Sequence, residues 1–278
     1  LNSIHIYRRN ARVGNVMSNF TDFISSGGGA SFPTIFLHKS QTWVPPQDGN
    51  IMIHVIGAGG SGSGSTVTTN VESGAAGGYC RKNSLAVTTA GSFTVVVGAG
   101  GASVIGANGA GTAGGTTTVA GTGLGSTLTA TGGAGGALAA NTYTVGGVGS
   151  NGDLNTTGGR GGYQIGGGAV GLTGTGKDGI IGSDALRTAG ANCDILGDFY
   201  SSTLGQISGG TGGTLYSSRY VAKAGELAGG GGSAGSTFPL VGGNASIGGG
   251  GGFLQASTAL DIISGRGGEG CVVIQYIP

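Results

Sequence analysis

The 278 residues would fill one large domain or two small ones, but glycine supplies 69 of them, against an average usage of about 7%. Charged residues make up only 8% and the net charge is +1, so we expect no surface that attracts nucleic acid. No run of about 18 apolar residues is present, so we expect no membrane insertion, and three widely spaced cysteines predict buried thiols rather than a disulfide framework or a zinc site.

Residues 1–30 differ from the rest of the chain because Gly14 is the only glycine before residues 27–29. Arginines alternate there with apolar residues such as Ile4, Val13 and Phe20. This amphipathic pattern is typical of a segment that docks on a partner, and glycines 27–29 form a hinge after it. We therefore divide the chain into an attachment segment, 1–30, and a glycine-rich domain, 31–278.

Three apolar stretches, 51–56, 92–97 and 271–277, predict β-strands. In the first, Ile51, Ile53 and Val55 face one way while Met52, His54 and Ile56 face the other, so both faces are expected to be covered. We expect the three strands to pair with one another in one small β-scaffold.

Glycine-rich runs of about 4 to 11 residues lie between and around these strands. They are 57–64, 74–78, 98–101, 106–115, 132–136, 146–149, 158–168, 209–213, 229–235, 242–252 and 265–270. Glycine weakens α-helices and the runs lack the strict third-position glycine of collagen, so the polyglycine version of the polyproline II helix is the ordered state that fits them. Such helices have no internal hydrogen bonds and must stack side by side. The predicted fold is mainly β and irregular, with stacked polyglycine II helices, a glycine-rich sandwich, and little α-helix.

Motifs for nucleotide binding are accidental matches in this composition. Residues 57–62 fit GxGxxG after a strand, but no amphipathic helix follows to bind a pyrophosphate. Residues 171–177 fit GxxxxGK, but Asp178 stands where a Ser or Thr must bind magnesium.

Residue types for other chemistry are also poorly arranged. The histidines, His5, His38 and His54, lack metal-binding spacing and are interpreted as structural. A glycosidase pair among Asp184, Asp194 and Asp198 is less favoured than a solvated loop. We therefore expect no enzyme activity, no cofactor and no metal.

The segments between the glycine runs carry most of the aromatic side chains outside the first strands. If the helices are stacked rods, these segments turn at the rod ends and gather at the tips, where binding surfaces are commonly built. The candidate binding residues are Asn141, Tyr143, Phe199, Tyr200, Tyr216, Arg219, Tyr220, Phe238 and Phe253.

Three short motifs carry a resemblance to a known family. They are QTWVP at 41–45, IHVIGAGG at 53–60 and GGEGCVVI at 267–274. Over residues 31–278 the chain resembles the glycine-rich tip domain of bacteriophage tail fibres. It is also similar to the caps of T-even-like long tail fibres, which are polyglycine II sandwich adhesins.

The resemblance implies a receptor-binding tip domain at 31–278, located on the virion at the tip of the tail fibre. Its partners would be a bacterial outer-surface protein or glycan, bound by the loops, and the fibre shaft, bound by residues 1–30. Two alternatives stay open: a structural virion fibre or decoration protein without receptor binding, and an ice-binding protein with regular Thr and Ser rows.

Overall fold

The computed structural model describes residues 33–66, 71–106, 108–138, 142–162, 175–176, 178, 233–235, 240–242, 244–245, 247–252, 254–256 and 262–278. These residues form strands and extended segments, with no α-helix among them. The strands in chain order are β1 (Thr34–Leu37), β2 (Gln41–Trp43), β3 (Gly49–Ile56), β4 (Gly64–Ser65), β5 (Tyr79–Val87), β6 (Phe93–Val96), β7 (Thr117–Gly121), β8 (Leu128–Ala130), β9 (Gly149–Ser150), β10 (Leu154–Thr156), β11 (Ser233–Gly235), β12 (Leu240–Val241), β13 (Leu254–Ala256), β14 (Ile262–Ile263) and β15 (Cys271–Ile277).

Two five-stranded antiparallel sheets form a β-sandwich. The first has the order β1-β15-β3-β5-β10 and the second the order β2-β6-β7-β8-β9. Two small parallel sheets, β11-β13-β4 and β12-β14, lie outside the sandwich. The mainly β fold predicted from the sequence is confirmed.

The core lies between the two antiparallel sheets. Ile51, Ile53 and Val55 of β3 are completely buried in it, and the ring of Trp43 packs against that of Phe93 at 5.5 Å between centroids. The opposite face of β3 is covered too, because His54 and Ile56 are also buried. The alternation predicted for residues 51–56 is therefore correct.

The predicted pairing of three strands is right for two of them and wrong for the third. β3 pairs with β15 in the first sheet, with Ile53 opposite Ile274. β6, predicted at 92–97 to join them, lies instead in the second sheet between β2 and β7. The reason is the burial pattern of β6: Phe93 and Val95 are buried while Thr94 and Val96 are exposed, so the strand has one face for the core and one for solvent.

Segment 57–64 continues β3 without a break, and its hydrogen bonds repeat every three residues. The amides of residues 57, 60 and 63 donate to segment 72–78, those of 58, 61 and 64 donate to segment 109–115, and those of 59 and 62 donate to segment 265–268. All of these bonds leave the segment, and three residues per turn is the period of the polyproline II helix. The hydrogen bonds therefore identify polyglycine II packing, as predicted from the glycine runs.

Six described segments surround segment 57–64, which is buried along its whole length. They are 72–78, 131–137, 109–115, 98–101, 265–270, and 248–252 with residue 254. Segment 72–78 is buried in the same way, and it donates in turn to 131–137, 158–162 and 248–251. We call this bundle of glycine-rich helices the lattice.

Glycine is required in the lattice where backbone meets backbone. A methyl group on Gly60 would overlap the carbonyl group of Ala134, and one on Gly74 would overlap that of Gly60. One predicted run is interrupted: 242–252 is not a single helix, because the chain reverses at Gly248, whose φ of 69° lies in the left-handed region.

Candidate functional site

The lattice has one free end, which we call the distal end. Eight strands of the sandwich adjoin a glycine segment at the same side of the sandwich: β3, β5, β6, β7, β8, β9, β10 and β15. At a rise of about 3.1 Å per residue, segments of seven residues place their far ends roughly 20 Å from the sandwich. The chain passes there from residue 66 to 71, from 106 to 108 and from 138 to 142, and the described residues beside these three links, which we call the distal turns, form the distal end.

The other end of the molecule, the proximal end, is formed by turns 44–48, 88–92 and 121–127 of the sandwich. Residue 33 enters the fold there, since the amide of Tyr276 donates to the carbonyl of Pro33 close to the end of β15. The segment that precedes residue 33 is therefore joined to the molecule at the end opposite the distal turns.

Hydrogen bonds hold the distal turns in place. The Thr66 hydroxyl donates to Asn108 Oδ1 at 3.0 Å and so links two turns. Glu72 is buried inside the lattice, and its Oε1 accepts from the backbone amide of Thr142 at 2.8 Å and from the Thr142 hydroxyl. Since Glu72 lies on a helix that is buried throughout, it fixes the turn before Tyr143 to the rigid centre of the lattice.

Tyr143 lies beside this turn and forms a cluster with Arg160 and Asp178. The guanidinium carbon of Arg160 lies 4.4 Å from the centroid of the Tyr143 ring. Two nitrogens of Arg160, Nε and Nη2, donate to Asp178 Oδ2 at 2.9 and 2.7 Å, and its backbone amide donates to Asp178 Oδ1 at 2.8 Å. Partial burial opposes ionisation of Asp178, but the hydrogen bonds from Arg160 outweigh it and lower the pKa of that carboxyl group.

The cluster combines side-chain types that commonly contact polar ligands. It places an aromatic ring, a cation and a carboxylate side by side, and the Tyr143 side of the lattice is exposed to solvent together with Leu138 and Val145. An amphipathic ring with fixed hydrogen-bonding groups beside it is a common element of protein and glycan recognition. We name Tyr143, Arg160 and Asp178 the distal cluster.

Of the nine candidate residues predicted from the sequence, Tyr143 is described, and its side chain is exposed. The other eight, Asn141, Phe199, Tyr200, Tyr216, Arg219, Tyr220, Phe238 and Phe253, lie outside the described residues.

The described neighbours of those eight residues lie in the lattice, from its middle to its distal end. Asp178 and β11, which precede and follow segment 179–232, bond to Arg160 and to β13. Asn141 lies in the segment between residues 138 and 142, and Phe238 in the segment between β11 and β12. Phe253 lies between residues 252 and 254.

The sequence analysis missed two members of the distal cluster. The sequence analysis does not single out Arg160, and it considers Asp178 only as a departure from a phosphate-binding motif. Arg160 and Asp178 are 18 residues apart in the sequence, and no local sequence pattern predicts that they form an ion pair. A charged residue in a stretch with few charges was the one available signal.

Other reactive groups in the described residues have structural surroundings. His54 Nδ1 lies 2.8 Å from the Tyr79 hydroxyl and Nε2 lies 3.3 Å from Gln275 Oε1, and burial lowers the pKa of His54 to about 4. Cys80 and Cys271 are buried thiols, while Cys193, His5 and the aspartates of 184–198 lie outside the described part.

Within that part, no three His, Cys, Asp or Glu side chains are grouped to hold a metal ion. Nor does it contain a helix long and apolar enough to span a membrane.

Comparison with known proteins supports a family assignment. A comparison with curated proteins finds no match to this chain. The family model of the glycine-rich domain, however, matches residues 36–277, which include the sandwich and the lattice. The chain therefore belongs to the glycine-rich domain family.

Proposed function

We propose that this protein is the receptor-binding tip of a phage tail fibre and that it binds a bacterial surface protein or glycan through the loops at the distal end. The observation that carries the proposal is where the chain reverses direction relative to the sandwich. The chain turns back at the end of the lattice that is away from the sandwich, and the segments that contain the predicted aromatic residues are joined to the middle or to the distal end of the lattice.

The two ends of the molecule suit the two partners of such a tip. The attachment segment, 1–30, precedes residue 33, which lies at the proximal end beside β15. A fibre shaft bound by that segment would leave the distal end facing outwards. A rigid body of this kind holds its loops roughly 20 Å beyond the sandwich.

Rigidity favours binding by loops because less conformational entropy is lost on association. The lattice supplies it through repeated backbone hydrogen bonds of 2.8 to 3.2 Å between neighbouring helices. The anchoring of Thr142 by Glu72 carries this rigidity to the distal turn beside Tyr143. On this proposal the protein binds its receptor without acting as an enzyme, and needs no cofactor.

The test is saturable binding of the fluorescently labelled full chain to a panel of bacterial strains, competed by unlabelled protein. We expect binding to some strains and not to others. In the variant Tyr216→Ala/Tyr220→Ala the affinity for a binding strain should fall by about tenfold or more, since aromatic residues dominate binding energies. Tyr143→Ala reports separately on the distal cluster.

Val44→Ala is the matched control, because Val44 is an exposed apolar residue in a proximal turn. It should bind like the unmodified protein. Equal binding by the loop variants and the control would contradict the proposal. A folded protein that binds no strain in the panel, but is found on the phage capsid, would favour the alternative of a structural virion component.

A further inference from the structure

One side of the molecule is free of charge over a large area. Residues 83–152 contain no Asp, Glu, Lys, Arg or His. They supply β6 to β9 and the lattice segments 98–105, 109–116, 131–137 and 142–148. The charged residues described in the lattice, such as Arg160, Arg266 and Glu269, belong to other segments.

In these four segments, side chains point outwards at every third residue. The glycines between them face inwards, since a methyl group on Gly111, Gly114 or Gly133 would overlap the backbone of a neighbouring helix. The outward residues, all exposed or partly exposed, are Ala99, Ala102, Ile105, Ala110, Ala113, Thr116, Thr131, Ala134, Ala137, Val145 and Val148.

The same surface continues onto the second sheet of the sandwich. The residues that alternate with its core side chains are Thr94, Val96, Thr118, Ala120, Thr129 and Ser150. We call the two parts together the neutral face. Its large apolar side chains are highly exposed: Ile105 by 70%, Val145 by 66%, Val148 by 49% and Val96 by 44%.

Apolar exposure of this extent marks a surface that is covered by a partner. The absence of charge disfavours an acidic or basic partner and is typical of the buried centre of an interface. We propose that the neutral face binds the neutral face of a second copy of this chain, giving a twofold dimer. Identical faces that bind each other form a closed, isologous pair.

The area of the neutral face and the spacing of its side chains fit a second copy of this chain. Four neighbouring elements at about 4.8 Å spacing and a length of about 35 Å give a footprint of roughly 700 Å², close to the ~800 Å² that each partner contributes to a standard interface. Its rows of side chains repeat about every 9 Å along each helix, so a second copy presents rows of the same period that can lie between them. This inference does not depend on the proposed receptor binding.

The experiment is sedimentation velocity of the full chain at up to about 100 µM, where a standard interface associates. We expect the unmodified protein to have twice the 26.4 kDa mass of one chain. In Ala113→Lys/Val145→Lys the dissociation constant should rise by about 100-fold or more, because two unpaired charges would be buried in each copy.

Ala86→Lys is the matched control, since Ala86 is an exposed alanine of β5 in the opposite sheet, and it should dimerise normally. Thr94→Lys is an independent variant on the strand part of the face and should also dissociate. Emission of the single tryptophan, Trp43, verifies that each variant is folded. The proposal would be overturned if the unmodified protein were monomeric, including the case in which it inhibits ice recrystallisation through this face. It would also be overturned if the variants dimerised as strongly as the control.

Discussion

Replacing Gly60 by alanine tests whether backbone contact holds the lattice together. The added methyl group would overlap the Ala134 carbonyl group, so segments 57–64 and 131–137 must separate. Separation weakens the bonds from Gly133 to Ala58 and from Gly136 to Ser61, now 2.9 and 2.8 Å long.

The magnitude follows from opposing contributions. Two hydrogen bonds contribute about 1 kcal/mol each and overpacking costs about 1–3 kcal/mol, while alanine restricts the unfolded chain by about 0.4–1 kcal/mol. We expect Gly60→Ala to lower the free energy of unfolding by about 3 kcal/mol. The control is Gly125→Ala, because a methyl group there meets nothing within 4 Å.

The assay is urea unfolding followed by Trp43 fluorescence, combined with hydrogen exchange of the amides in segments 57–64 and 131–137. Trp43 reports on the sandwich and hydrogen exchange on the lattice, so a lattice that unfolds separately is still detected. The control should change the free energy by less than about 1 kcal/mol. Equal stability and equal exchange rates in Gly60→Ala and Gly125→Ala would refute the packing described above.

Two further predictions concern buried side chains. Burial lowers the pKa of His54 from 6.5 to about 4, so between these pH values the unfolded chain binds a proton that the folded protein does not. The free energy of unfolding should therefore fall by about 3 kcal/mol as the pH drops from 6.5 to 4. Urea unfolding at several pH values should show this dependence in the unmodified protein and a weaker one in His54→Gln, and an equal pH dependence in the two proteins would contradict the prediction. Burial raises the pKa of Cys80 to about 11 and that of Cys271 to about 12. In a Cys193→Ser variant we therefore expect no rapid alkylation by iodoacetamide at pH 8 until urea unfolds the protein. Rapid alkylation without urea would contradict this, because it would show that the two thiols are accessible.

The distal cluster and the Glu72 anchor are related by the way the lattice is built. Tyr143, Arg160 and Glu72 lie on three neighbouring helices, 142–148, 158–162 and 72–78. Each helix is fixed by the strand that it adjoins, so the sandwich determines which side chains meet at the distal end. Loops can vary there while the helices keep the same hydrogen bonds.

The amino-acid sequence by itself determined which kinds of secondary structure this fold contains. The glycine content predicted little α-helix and polyglycine II packing, and the alternation in residues 51–56 predicted a strand covered on both faces. It also identified 271–277 as a strand, which pairs with β3. These features depend on local conformational preference and on hydrophobic pattern, which a sequence displays directly.

Only the tertiary structure decided which elements are neighbours. Glycine segments have nearly identical backbones, so nothing local tells segment 57–64 to bond with 72–78 rather than with any other run. The choice is made by the order of the strands to which the segments are joined, and it also placed β6 in the second sheet. The contact of Arg160 with Tyr143 and Asp178 follows from that choice, because contacts between distant residues exist only once the chain is folded.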